Sequence, residues 1–441
     1  MNLFFKRLTG QLHSTEKMER YIAEMEAEIA RYRQVETSEE LKEYQELKKS
    51  VESKAFQQNK QNLIHTKYKN TKCYQISEEF GKLRHNKLLQ LYLQVRESAQ
   101  LRDYLEFRQS PEYVQLYDKK LVRKSPLLKN MKSFEKSTAY KAYLTYKDSK
   151  LPQRFLELRD LMGTSEFQEE KAFWKNKNRW LTTEEHVQEV RFAQLSASPD
   201  IKFFYAADVK KIEQMESYVR IFNDDFDWTK LIDSKWKAGF AYKNKELKTN
   251  HSFVNEQQAN NGGLNTGTIG GFLTILTKRE QTTASAWDPK KGFVMKDFEY
   301  TSDIIQTAQT FRQKEGLFMV KLRSEGKLHH ACCLGSYNRL PLVNIYHYNG
   351  RHIVVGNLTD KGFDGTSIKG LSQHKYYIFS LRWTEKELIW YVNNLEVYRT
   401  HRNLPQEELY LTLSSFISEQ QRASEGKLEV DWIRVYSTAV N

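Results

Sequence analysis

The sequence predicts a multidomain chain, α first and β after: an all-α helical array or bundle, followed by a two-sheet antiparallel β-sandwich. Three observations predict it. Of the 19 glycines in 441 residues, only Gly10, Gly81 and Gly163 precede residue 221, so most turn-makers belong to the second half. Before that point apolar residues recur at steps of three and four, the period of a helix face. After it, stretches such as Leu388-Ile-Trp-Tyr-Val and Leu428-Glu-Val-Asp-Trp-Ile-Arg-Val-Tyr place apolar residues at mostly every second position, as half-buried strands require.

Three segments follow: an amphipathic or coiled-coil-like helix over 1–52, a helical repeat-like arm over 53–216, and the sandwich over 221–441. A fragment starting near Tyr218 is expected to fold alone. In the first segment Met18, Tyr21, Ile22, Met25, Ile29, Tyr32 and Val35 form one stripe, continued by Leu41, Tyr44, Leu47 and Val51. Thr37 followed by Glu40 reads as a capping box, so the helix restarts there. The stripe suits packing on the following helices of the same chain, or pairing with a second subunit.

In the arm a hydroxyl residue recurs three places before an apolar one: Ser53/Phe56, Ser77/Phe80, Ser110/Tyr113, Ser137/Tyr140, Thr164/Phe167 and Ser198/Ile201. Each hydroxyl suits an N-cap, and Pro111 and Pro199 stand at the first helical position. The spacings of 24, 33, 27, 27 and 34 residues are the size of a helix pair. Tyr140, Tyr143, Tyr146, Phe173, Trp174 and Trp180 read as the core between these helices.

Charge and cysteines bound the function classes. Between Lys48 and Lys150 there are 23 Lys/Arg against 10 Asp/Glu, an excess equal to the whole net charge of +13. Such a block can face nucleic acid, an anionic surface or an acidic protein. It carries no aromatic-interleaved stripe and no nucleic-acid motif, which argues against nucleic acid. Cys73, Cys332 and Cys333 give neither a disulfide framework nor a metal spacing, and no cofactor is implied. No run approaches the ~20 apolar residues of a membrane span, and the opening MNLFFKRLTG lacks a secretory apolar core, so a cytoplasmic chain is expected.

The strands from residue 221 onward carry a resemblance. Phe222-Asn-Asp-Asp-Phe226 with Trp236, then Gly271–Thr277, Phe298–Thr307 with Asp303 in a glycine's place, Lys375–Trp383, Leu388–Asn393 and Gly426–Tyr436 follow one another in a familiar order. At its centre, Gly316, Phe318 and Lys321 fit one strand, and Ala331 and Leu334 the next, where His329, His330, Cys332 and Cys333 fill the other places. The set resembles glycoside hydrolase family 16, the laminarinase-like enzymes, which implies a jelly roll of the concanavalin A-like lectin/glucanase kind. In that family the third central strand carries Glu-x-Asp-x-x-Glu. Here those positions are Leu342, Asn344 and His347.

A retaining glycosidase needs two carboxyl groups roughly 5 Å apart. Leucine cannot attack an anomeric carbon and asparagine cannot exchange a proton, while His347 could act only as an acid/base without a nucleophile. The expectation is therefore a pseudoenzyme with no catalytic residues, serving as a binding or scaffold component. The arm would take an unknown protein partner or a second copy, and the cleft could hold a glycan. Ligand-binding candidates are Asn344, His347, His329 and Trp287, the last in a Gly/Pro-flanked loop. Trp383 and Trp390 read as core. Two alternatives stand: a β-glucan hydrolase with relocated catalytic groups, drawn from His347, His329, His330, Glu325 and Asp360, and anionic-surface or nucleic-acid binding through the basic arm.

Overall fold

The computed structural model describes residues 2–227, 235–244 and 246–438. The chain divides into two compact units, Met1–Tyr32 with Ala207–Asn441, and Arg33–Ala206.

The unit Arg33–Ala206 is all-α. Side-chain caps start most of its helices: Ser38, Ser53, Asn86, Ser98, Ser137, Thr164 and Thr183 each accept from the amide three residues on. Each cap satisfies an amide that the first helical turn leaves without a partner. The break near Thr37 is present, but Ser38 is the cap. Ser77 departs from the expectation. It lies inside the helix Lys72–Arg84 and donates to Cys73 O at 2.8 Å, and Thr71 caps that helix instead.

Helix pairing in this unit is nested. Glu39–Val51 meets Glu184–Ala197, Lys72–Arg84 meets Leu151–Met162, Lys87–Val95 meets Thr138–Tyr146, and Ala99–Gln109 meets Pro126–Glu135. A run of equal repeats would instead pack each helix pair on the next. Small aromatic cores hold the nest together. Tyr104, fully buried, lies 4.8 Å from Tyr140 and 5.3 Å from Phe134, and Phe56 meets Trp180 edge-on at 5.9 Å. Tyr140, Tyr146 and Trp180 are buried as expected of a core, whereas Tyr143, Phe173 and Trp174 are half-buried. Bidentate pairs, Arg154 with Glu79 and Arg191 with Glu43, join facing helices at the surface and hold both carboxyls below their ordinary range.

The other unit is the sandwich. Among the described residues, one sheet of eleven strands has the central order Tyr377–Trp383, Gly316–Glu325, Gly426–Thr438, Phe272–Asp288. The second, of seven, runs Gly362–Ile368, Ile353–Thr359, Leu342–Asn349, His329–Gly335, Tyr410–Phe416, Ile304–Gln306, Lys237–Ala238. Nearly all pairings are antiparallel. Gly316–Glu325 alternates strictly, with Phe318, Val320 and Leu322 turned into the core. Gly316 has φ +119°, and a Cβ there would stand 2.3 Å from Tyr436 O, so only glycine fits. Trp383 and Trp390 are buried core residues.

The boundaries read from sequence need correction. Residues 1–52 are three helices, Phe4–Leu8, Thr15–Glu36 and Glu39–Val51, and the first 32 residues belong to the sandwich unit. Leu3 and Leu12 are buried in the same core as Trp236 and Phe318. Leu3 N donates to Lys369 O at 2.8 Å, Thr15 Oγ1 to Tyr376 O at 2.7 Å, and Asn393 Nδ2 to His13 O at 2.9 Å. Met18 and Ile22 cover Ile378, Trp432 and Met319 on the outer face of the larger sheet. Lys321 reaches both Glu19 and Asp431 at 2.6 Å. This end of the apolar stripe is thus occupied by the chain's own sandwich, and a sandwich beginning at Tyr218 would lack part of its core.

Candidate functional site

The strand Leu342–Asn349 positions the site. Its pairing slips on both sides between Asn344 and His347: Cys333 faces Asn344 and Cys332 faces Tyr346, while Asn344 faces Gly356 and His347 faces Val354. The bulge puts Ile345 and Tyr346 into the core and keeps Leu342, Asn344 and His347 on the outer face. Trp390 Nε1 donates to Asn344 O at 2.8 Å, fixing the bulge from the core side. Opposite Asn344, Gly356 and Gly365 pair back to back, and a Cβ on Gly356 would meet Gly365 Cα at 2.5 Å.

Over that face runs a groove. One part, of about 640 Å³, is lined by Leu342, Asn344, His347, Cys333 and Tyr242 among others. The second, of about 560 Å³, is lined by Phe253, Glu256, Asn260, Trp287 and Pro289. Phe240, Ile304, Arg339, Leu342, Ser414 and Phe416 line both, so the two hollows are continuous. Three of the four candidates from sequence, Asn344, His347 and Trp287, therefore border one groove. Trp287 does so from the strand Phe272–Asp288 and not from a loop, its ring 4.9 Å from that of Phe293.

His329 lies one step back. Its Nδ1 is 2.9 Å from His347 Nε2, and its ring stacks on Phe416 at 4.4 Å. Burial lowers both imidazoles to about 4, aided at His347 by the neighbouring ring, so both are neutral at physiological pH. His347 is thus not the near-neutral proton exchanger its residue type suggests. Asn344 Oδ1 accepts from Cys333 Sγ at 3.1 Å. His330 points the other way, bonded to Ser415 Oγ and Glu325 O, and burial takes it to about 3. Glu325 sits with Lys427 at 3.5 Å, and Asp360 lines a separate hollow beside Pro341 and Pro405. Neither lines the groove. Among the described residues no three His, Cys, Asp or Glu side chains are placed to hold a metal ion.

Sequence reasoning missed Glu256 and Arg339. Glu256, the one carboxyl among the described lining residues, accepts from Phe253 N at 2.9 Å. Burial raises it to about 7, against the pull of that amide, Gln258, Lys296 and Arg339. The folded carboxyl therefore holds its proton more tightly than the unfolded one. Its contribution to stability is present below about pH 4.5 and is lost as pH rises toward about 7. Discounted for partial exposure, the loss is roughly 2 kcal/mol. Urea unfolding of wild type and Glu256→Gln at about pH 5 and pH 8 should show the variant gaining that amount relative to wild type at the higher pH.

Comparison with solved structures finds similarity over about half of the chain. An endo-1,3-β-glucanase (laminarinase) catalytic domain from Thermotoga petrophila RKU-1 is 18% identical, with 51% of this chain and 99% of that one covered at a TM-score of 0.41. SCLam, a non-specific endo-β-1,3(4)-glucanase from family GH16, is 21% identical, with 50% and 92% covered at 0.41. A laminarinase from Flavobacterium sp. UMI-01 is 16% identical, with 50% and 100% covered at 0.39. No protein-family model and no curated protein matches the chain.

Proposed function

We propose that the protein is a non-catalytic binding or scaffold component: its sandwich groove holds a hydroxyl-rich ligand, an oligosaccharide, and its helical unit engages a protein partner. The observation that carries this reading is the wall formed by Leu342, Asn344 and His347. An apolar group, an amide and a neutral imidazole stand together where hydrolysis would need two carboxyls. Phe240, Phe253, Trp287 and Phe416 offer the aromatic faces on which pyranose C–H groups pack, and Asn344 and Asn260 offer amides for hydroxyls. Calorimetric titration with laminari-oligosaccharides tests it. Binding without release of reducing ends is expected, and Asn344→Leu should weaken it by about 1–3 kcal/mol, because a buried hydroxyl loses its partner, with little loss of stability. Absence of binding to any oligosaccharide would overturn the reading.

One observation favours a second reading, hydrolysis by relocated groups. Glu256 carries a carboxyl held near 7 on the groove wall, the property of a general acid. It has no second carboxyl beside it among the described lining residues. Reducing-sugar release from mixed-linkage or 1,3-β-glucan that disappears in Glu256→Gln, with binding retained, would put this reading in place of the first.

A further inference from the structure

Arg339 stands at the junction of the two halves of the groove and lines both. Its guanidinium lies 4.4 Å over the ring of Phe253, an arrangement that orients the planar cation and leaves its N–H edges for a ligand. Several other arginines of the sandwich are paired: Arg382 with Glu387 at 3.1 Å, Arg399 with Glu387 and Glu396 at 2.6 and 2.7 Å, Arg402 with Asp364 at 3.1 Å, and Arg323 with Glu429. Among the described residues no carboxylate lies within ion-pair distance of Arg339, and its side chain is exposed. Its backbone has φ +69°, a conformation that L-residues adopt at a cost.

Resting on the reading of this groove as a saccharide site, we infer that its ligand is an acidic saccharide, with the Arg339 guanidinium binding a uronate carboxylate or a sulfate ester. The remainder of the lining suits that choice. The aromatic side chains take sugar faces, and the amides and the neutral His347 take hydroxyls. An exposed guanidinium with no carboxylate at ion-pair distance among the described residues is open to an anion supplied by the ligand.

Glu256 makes the recognition depend on pH. The charges that face it are Lys296, whose Nζ donates to Val254 O and Glu256 O at 2.7 Å, and Arg339; Gln258 is its neutral neighbour, and Glu419 acts on Lys296. With its carboxyl held near 7, Glu256 goes from anion to neutral acid as pH falls from about 8 to about 6, which removes the one negative charge among the described lining residues. His329 and His347 stay neutral throughout that range.

The test is calorimetric titration of the full chain with three probes: an oligoglucuronate, a sulfated laminari-oligosaccharide and the neutral laminari-oligosaccharide of equal length. At least one acidic probe should bind about tenfold or more tighter than the neutral one, the scale of one charge-assisted contact. Arg339→Ala should bring it to the level of the neutral probe, and Arg339→Lys, which keeps the charge but loses the fork, should fall between. The acidic affinity should rise from pH 8 to pH 6 in wild type and stay flat in Glu256→Gln. Circular dichroism of each variant establishes that it is folded. Equal affinities for neutral and acidic probes, or a preference that survives Arg339→Ala, overturns this inference and leaves the saccharide site standing. Binding of none of the three overturns both.

Discussion

Replacing Leu3 and Leu12 together by alanine is expected to unfold the sandwich or leave it molten, even though both lie more than 200 residues before its first strand. Leu3 is completely buried and Leu12 nearly so, in the core shared by Trp236, Phe318 and Trp383. Each truncation removes packed methyl groups and leaves a cavity, about 2–5 kcal/mol for a leucine. The pair should lose about 4–8 kcal/mol, comparable with the whole stability of a typical domain. Urea unfolding followed by near-UV circular dichroism measures it, with Leu264→Ala, 80% exposed, as the substitution expected to change little. A fragment starting at Tyr218 should behave worse still, because Ile378 and Trp432 would lose Met18 and Ile22 as well. Native stability in the double variant would mean that the N-terminal segment adds nothing to the core.

The second large effect concerns Asp303. Its buried carboxylate accepts three backbone amides, Asn261 N and Gly263 N at 3.0 Å and Asn265 N at 2.7 Å. Burial raises this carboxyl above its ordinary value, and the three amides pull it part of the way back. Asp303→Ala would leave three amides without partners, at about 1–3 kcal/mol each, so a loss of about 3–6 kcal/mol is expected in thermal or urea unfolding. Asp303→Asn, which keeps one acceptor oxygen, should lose less. The pinned turn adjoins Asn260 on the groove wall, so oligosaccharide affinity should fall with it. An alanine variant within about 0.5 kcal/mol of wild type would show that water replaces the carboxylate at no cost.

How far the sequence could be read depended on periodicity. Alternation along Gly316–Glu325 and Gly426–Thr438 made the sandwich legible, and the spacing of Leu342, Asn344 and His347 matched a bulge that does put all three on one face. Trp383 and Trp390 read correctly as core because they stand in alternating strands. The helical stripe from Met18 onward announced that something covers it but not what. A 3.6-residue period looks the same against a helix or a sheet, and Leu3 and Leu12 are single leucines with no pattern around them. Ser77 shows a related ambiguity: a hydroxyl three places before an aromatic serves equally at a cap or one turn inside a helix. Glu256 and Arg339 come from irregular segments before and after the long strands, where no spacing marks a residue as facing a groove. The low pKa of His347 comes from burial by partners distant in sequence, which no local motif displays.

The nested pairing of helices also sets an order of events. Ala99–Gln109 and Pro126–Glu135 are joined by the shortest connection of the nest, and each pair outside them closes a longer loop, whose entropic cost grows with the logarithm of its length. Contacts can therefore zip outward from the middle of the arm as it is synthesised. Leu3 and Leu12 leave the ribosome before any of this. Their place beside Lys369, Tyr376 and Asn393 exists only once those residues, more than 350 positions later, have been made. Leu3 and Leu12 then fold late, and until the strands that bury them have been made their apolar side chains stand uncovered.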